Sequence, residues 1–122
     1  MYNIDFYETM EGFSDIREFL DSLRSKAGTV KDARIQFSQA ARYIQLLQNN
    51  GTNLPVEIAK HIEDEIWELR PGSNRFFFFF YCSGTYVLLH HYRKKSQKTP
   101  LKEISRAKAE MKDYILRKGK GQ

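Results

Sequence analysis

Cysteine is nearly absent from this chain. Cys82 stands alone among 122 residues, which excludes an intramolecular disulfide and any CxxC metal knuckle and fits a reducing cytoplasm. As a strand residue beside a turn it reads as a small hydrophobe rather than a nucleophile. Long apolar runs are also missing: the five-phenylalanine run Phe76–Phe80 falls far short of the ~20 residues a membrane-spanning helix needs. The N-terminal MYNIDFYETMEG has neither the basic nor the apolar region of a signal peptide. No glycine-rich phosphate loop occurs. His61, His90 and His91 show no ligand spacing with carboxylates on one helix face, so neither a metal nor another cofactor is expected. At 14.4 kDa the chain reads as one domain over residues 1–122, with 118–122 a frayed tail.

What is present is an uneven charge distribution. The net charge is +5, yet residues 93–122 hold eleven Lys/Arg against three Asp/Glu, whereas residues 1–92 hold nine against twelve. Basic charge concentrated in the last quarter suits contact with a polyanion, although a solvated terminal helix has the same composition.

The element order is strand, helix, helix, three antiparallel strands, helix. Residues 2–9 form a first short strand. Phe13, Ile16, Leu20, Leu23 and Ala27 recur at helical spacing between Ser14 and Gly28. Thr29 to Asp32 has the form of a capping box, and Val30, Ala33, Phe37, Ala40, Ile44 and Leu47 make the stripe of a second helix ending at Asn49-Asn50-Gly51. Residues 56–62 suggest a short helix. Ile66–Arg70, Arg75–Cys82 and Thr85–Arg93 are strands, joined by the Pro71–Asn74 loop and a two-residue Ser83-Gly84 turn.

That turn pairs Cys82 with Thr85, Phe79 with Leu88, Phe77 with His90 and Arg75 with Tyr92, while the preceding loop sets Glu68 opposite Phe77. One sheet face then gathers Glu68, Arg70, Arg75, His90 and Tyr92, and the other is apolar. After Thr99-Pro100, a last helix places Leu101, Ile104, Lys108, Met111 and Ile115 on one side. The class is α+β: a small antiparallel sheet with the helical hairpin covering its apolar face, a C-terminal helix, and the polar face open.

The segments WELRPGSNRFFFFFY and VLLHHYRKKSQKTPLKEISRAKAEMKDY resemble the phage-derived branch of the RelE/HigB toxin family. They share its Glu-Leu-Arg strand, Arg-aromatic strand and Lys-Lys-x-x-x-Thr-Pro element; the pattern departs at His90-His91. The resemblance implies a RelE-like fold and the toxin of a type II toxin–antitoxin pair. Such a toxin is a metal-independent endoribonuclease that cuts messenger RNA, usually on the ribosome, and is held by a helix-turn-helix antitoxin. The motif arginines are Arg70 and Arg75, and the lysine pair is Lys94-Lys95.

Metal-free RNA scission needs a deprotonated 2′-hydroxyl, neutralised phosphorane charge and a protonated 5′-oxygen. Arg70 and Arg75 have the donor fork for phosphate oxygens, and His90 has the right titration range for acid–base work, with a packed structural role as its equal alternative. Glu68 is a competing base, better suited to a salt bridge with the arginines. Tyr92, Arg93, Lys94, Lys95 and Lys98 form the expected RNA-contacting set. A non-catalytic RNA- or ribosome-binding module of phage origin needs the same basic surface.

Overall fold

In the computed structural model, which describes residues 1–120, a central sheet is covered on both faces. The elements are β1 (Asn3–Phe6), α1 (Asp15–Lys26), α2 (Lys31–Asn50), β2 (Ala59–Glu63), β3 (Ile66–Leu69), β4 (Asn74–Tyr81), β5 (Thr85–Arg93) and α3 (Leu101–Lys120). The five strands lie in the order β1-β5-β4-β3-β2. β1 runs parallel to β5, and the other neighbours are antiparallel. The α+β class and its helical hairpin are as expected.

α1 begins at Ser14, whose side chain accepts from the Arg17 N–H, a normal N-cap for one of the unpaired first-turn donors. α2 begins differently. Its cap is Val30, with no side-chain hydrogen bond, so Thr29 to Asp32 is not a capping box. The segment expected as a short helix at 56–62 is a turn running into β2, where Ala59 pairs with Leu69 and His61 with Trp67. The last helix continues to Lys120, through part of the segment expected as a frayed tail; Gly121 and Gln122 lie outside the described residues.

The β3–β4 register matches the sequence reading, with Glu68 opposite Phe77 and Trp67 opposite Phe78. The β4–β5 register matches only at its far end. Tyr81, not Cys82, pairs with Thr85, and the connection is the three residues Cys82, Ser83 and Gly84, with Ser83 at φ 64° and Gly84 at φ 71°. Cys82 is therefore an exposed turn residue. Between the Phe78–Leu88 and Phe76–His91 pairs, β5 holds one residue more than β4, and this bulge restores Arg75 opposite Tyr92. Leu88 consequently lies on the hairpin side, while Val87 and Leu89 join the same side as Phe77 and Phe79.

This side is not open. Phe77, Phe79, Val87 and Leu89 are buried beneath Ile104, Ala107 and Tyr114 of α3. Four large apolar side chains on one face, each worth ~1.5–3 kcal/mol when removed from water, require a cover that the helical hairpin on the opposite face cannot supply. The buried row of α3 is thus Ile104, Ala107 and Tyr114, with Met111 packed at its edge. Leu101 and Ile115 are exposed, and Lys108 pairs with Glu63 and Asp64.

Asp15 joins three elements. From the first turn of α1 it accepts from the His91 backbone N–H and lies against the His91 ring on β5, and it meets Arg106 of α3. Burial pushes its carboxyl upward, but the His91 ring, the His91 N–H and Arg106 outweigh burial and hold it below the ordinary range. The resulting stabilisation is present above the unfolded value of about 4 and is lost as pH falls through the folded one. Asp15→Asn is expected to lower the unfolding free energy by ~1–2 kcal/mol at pH 7, and urea titrations should show the difference shrinking as pH falls below the ordinary carboxylate range. At the end of α2, Gly51 has φ 61° and ψ −144°, and a methyl group there meets the Tyr86 hydroxyl at 2.9 Å and the Tyr2 ring at 3.0 Å. Gly51→Ala should cost ~1–3 kcal/mol by the shift in urea midpoint, whereas Gly28→Ala, with open space around it, should stay within about 0.5 kcal/mol.

Candidate functional site

The alternation of β3 turns Glu68 toward the α3 side, where its side chain is 1% exposed. One carboxylate oxygen lies 3.4 Å from Arg70 Nε and 3.7 Å from Arg75 Nε. The other accepts from the Tyr92 hydroxyl at 2.8 Å and the Thr99 hydroxyl at 3.4 Å. The two arginines are therefore brought to one point on one side of the sheet. Two cations facing one carboxylate leave an excess positive charge in a poorly solvated setting, where it acts strongly on a nearby anion.

The arginines are not equivalent. Arg75 is only 5% exposed, and its Nη1 donates to the carbonyls of Gly72 at 2.7 Å and Asn74 at 2.9 Å, closing the β3–β4 loop. Burial, then the neighbouring Arg70, lowers its pKa from the ordinary guanidinium value, although a guanidinium starting that high stays charged at neutral pH. Arg70 has a side chain 21% exposed, donates from Nη1 to the Val56 carbonyl at 3.2 Å, and keeps a buried Nε with no hydrogen-bond partner. Arg70 is thus the more exposed of the two, its side chain 21% exposed against 6% for Arg75.

Beside this cluster lies a recess of about 350 Å³ lined by Tyr92, Arg93, Lys95, Lys98, Lys102 and Glu103. Tyr92 joins the two, its hydroxyl on Glu68 and its ring stacked on Phe77 at 5.4 Å. Burial, together with Glu68 and against Thr99, pushes the Tyr92 phenol up to about 12, so it is a proton donor and not a base near neutrality. Arg93 is tethered to Gln36 of α2 at 3.0 Å. Lys95, Lys98 and Lys102 make no ion pair among the described residues. Lys94 does not line the recess; it is half-buried, and its backbone N–H donates to the Ser73 carbonyl.

His90 shares the face of Glu68 and Tyr92, as expected, but lies beneath α3. It is 0% exposed, with Nδ1 2.6 Å from Glu110 and Nε2 3.0 Å from Glu103, both on α3. The bulge turns the ring onto the α3 side, and the helix that covers the face then encloses it. Both nitrogens are occupied, so it reaches no solvent-borne substrate in this arrangement. His91 points to the other face, where it stacks on Phe19 at 4.0 Å.

Sequence reading misses Thr99 and Lys102 as site residues. Thr99-Pro100 signals a helix start, which hides the hydroxyl's contact with Glu68, and Lys102 sits on a helix turn whose direction depends on how α3 docks. Among the described residues no group of three His, Cys, Asp or Glu side chains is arranged to hold a metal ion, and no helix is long and apolar enough to cross a membrane.

The sequence matches the family described as phage-derived protein Gp49-like (DUF891) over residues 18–112, a span that runs from α1 into α3 and takes in the whole charged cluster and the recess. No curated protein matches. With most of its length inside that match, the chain belongs to the Gp49-like family of phage-derived proteins, which includes RelE-like toxins of toxin–antitoxin systems.

Proposed function

We propose that the protein is the toxin of a type II toxin–antitoxin pair and an endoribonuclease that cuts messenger RNA, in the cytoplasm and on the ribosome, without a metal or other cofactor. The observation that carries this reading is the basic recess opening beside the Glu68–Arg70–Arg75 cluster. Lys95, Lys98 and Lys102 hold the RNA backbone, and Tyr92 presents a ring edge to a base. In the reaction the 2′-oxygen bonds to its own 3′-phosphorus as the phosphorus–5′-oxygen bond breaks. The 2′ proton leaves and the 5′-oxygen gains one, giving a 2′,3′-cyclic phosphate and a 5′-hydroxyl.

Arg70 stabilises the phosphorane charge directly, through donors left over from its contact with Val56. Arg75 contributes its field and holds the loop from which Arg70 projects. Glu68 positions both, since its two oxygens are already engaged by four groups. With His90 enclosed and Tyr92 protonated, proton removal falls to solvent. A DNA-binding helix-turn-helix antitoxin is the expected partner.

A second reading is favoured by the enclosure of His90 and the engagement of Glu68: a family member that binds RNA or the ribosome without cutting it. The two separate on one gel. Purified protein incubated with free messenger RNA in EDTA, and with ribosome-bound messenger RNA in magnesium buffer, should yield fragments ending in cyclic phosphate; intact RNA with retained binding in both would establish the module instead.

Arg70→Ala should slow cleavage by ~10²-fold or more while leaving the circular dichroism spectrum unchanged. Arg75→Ala, which also removes the loop-closing bonds, should in addition lower stability by ~1–3 kcal/mol. Expressed alone, the parent should arrest growth and Arg70→Ala should not; equal toxicity would remove Arg70 from the mechanism. Lys95→Ala with Lys98→Ala should weaken RNA binding and reduce the slope of log K against log salt by roughly 1.4 in total for a single strand, measured by fluorescence anisotropy across a salt series.

A further inference from the structure

The fold gives no reason for Phe80 to be exposed. It belongs to the phenylalanine run whose other four members are buried, yet it is 50% exposed. With Tyr2 and Tyr86 it forms a cup of three rings meeting edge to face: Phe80 to Tyr86 at 5.0 Å, Tyr2 to Tyr86 at 5.1 Å and Tyr2 to Phe80 at 6.3 Å. Trp67 of β3, whose register partner is Phe78, completes the wall, and the recess they bound has a volume of about 570 Å³.

Two carboxylates, Asp64 and Glu65, border the same recess. The β2–β3 turn that carries them is held by the His61 ring against the Asp64 carbonyl at 2.6 Å. Asp64 also faces Lys108 at 3.0 Å, whereas Glu65 is exposed and makes no ion pair among the described residues. From Glu57 to Glu65 the chain holds four carboxylates against one lysine, a local reversal of its basic character.

We propose that this recess is a binding site for a cationic side chain, arginine or lysine, presented by a protein partner. The ring faces attract a cation, most strongly at tryptophan, and the carboxylates add a charge of the right sign. A nucleic-acid base could stack on the same rings, but its phosphate would then approach Glu65 and Asp64, and that repulsion selects a basic peptide over RNA. Trp67 and Glu68 are sequence neighbours whose side chains leave β3 on opposite faces, so the recess and the Glu68 cluster are separate places. The proposal stands without RNA cleavage.

Trp67 is the chain's sole tryptophan, so its fluorescence reads occupancy directly. The full chain is titrated with acetyl-Gly-Arg-Gly-amide and with the same peptide carrying citrulline, which keeps the shape and removes the charge. A saturable change with the arginine peptide is expected, roughly tenfold weaker with citrulline. Glu65→Gln should weaken the arginine peptide roughly fivefold, and Phe80→Ala should remove saturation; both side chains are exposed enough for the variants to fold. Three results overturn the proposal: equal responses to the two peptides, no saturable signal up to about 10 mM, or saturation by a single-stranded oligonucleotide in place of the peptide.

Discussion

A carboxylate buried near the middle of the sheet constrains everything around it. An uncompensated charge in that position costs several kcal/mol, so Glu68 requires its surroundings to be arranged. Arg70 and Arg75 bring the opposite charge, and Tyr92 and Thr99 bring hydroxyl donors. These four come from the end of β3, the start of β4, the end of β5 and the segment leading to α3. Satisfying one side chain therefore orients two strands, a loop and the entry to the last helix, and brings the arginines close despite their mutual repulsion. The same set leaves Glu68 little capacity to take up a proton from elsewhere.

The parts of this fold that were legible in the sequence are those where side-chain type changes with position. Ile66-Trp67-Glu68-Leu69 alternates, and the Pro71–Asn74 loop has one natural length, so the β3–β4 pairing and the gathering of Glu68, Arg70, Arg75 and Tyr92 could be read correctly. The β4–β5 pairing could not, because five consecutive phenylalanines carry no alternation. With no polar member to mark the wet side, register rested on the turn, and Ser83 took a left-handed conformation more usual for glycine. The bulge that follows is invisible to pattern, yet it decides that His90 lies under α3. The same gap hid the second covered face: α3 was readable as amphipathic with Ile104 and Met111 on its inner side, but counting Leu101, Lys108 and Ile115 into the row turned it away from Ala107 and Tyr114.

Charge divides the surface more sharply than the total suggests. The lysines after β5 and the carboxylates of the β2–β3 turn sit beyond different ends of β3. A molecule of one sign is drawn to one place and repelled from the other, so an RNA and a basic protein segment need not compete for contact area. α3 takes part in both regions: Lys102 and Glu103 border the recess, and Lys108 ties the acidic turn to the helix.

The parallel pairing of β1 with β5 sets an order of events during synthesis. β1 cannot find its neighbour until residues 85–88 exist, and the bonds from Tyr7 to Asp113 and from Tyr114 to Asp5 wait until nearly the whole chain has been made. Contacts so distant in sequence carry a large loop-closure entropy and form late. Until then β5 lacks its edge neighbour and the phenylalanine strand its helical lid, and the growing polypeptide is most exposed to proteases and to self-association in that interval. A partner that engaged the emerging chain would meet the acidic turn before α3 had arrived to pair with it.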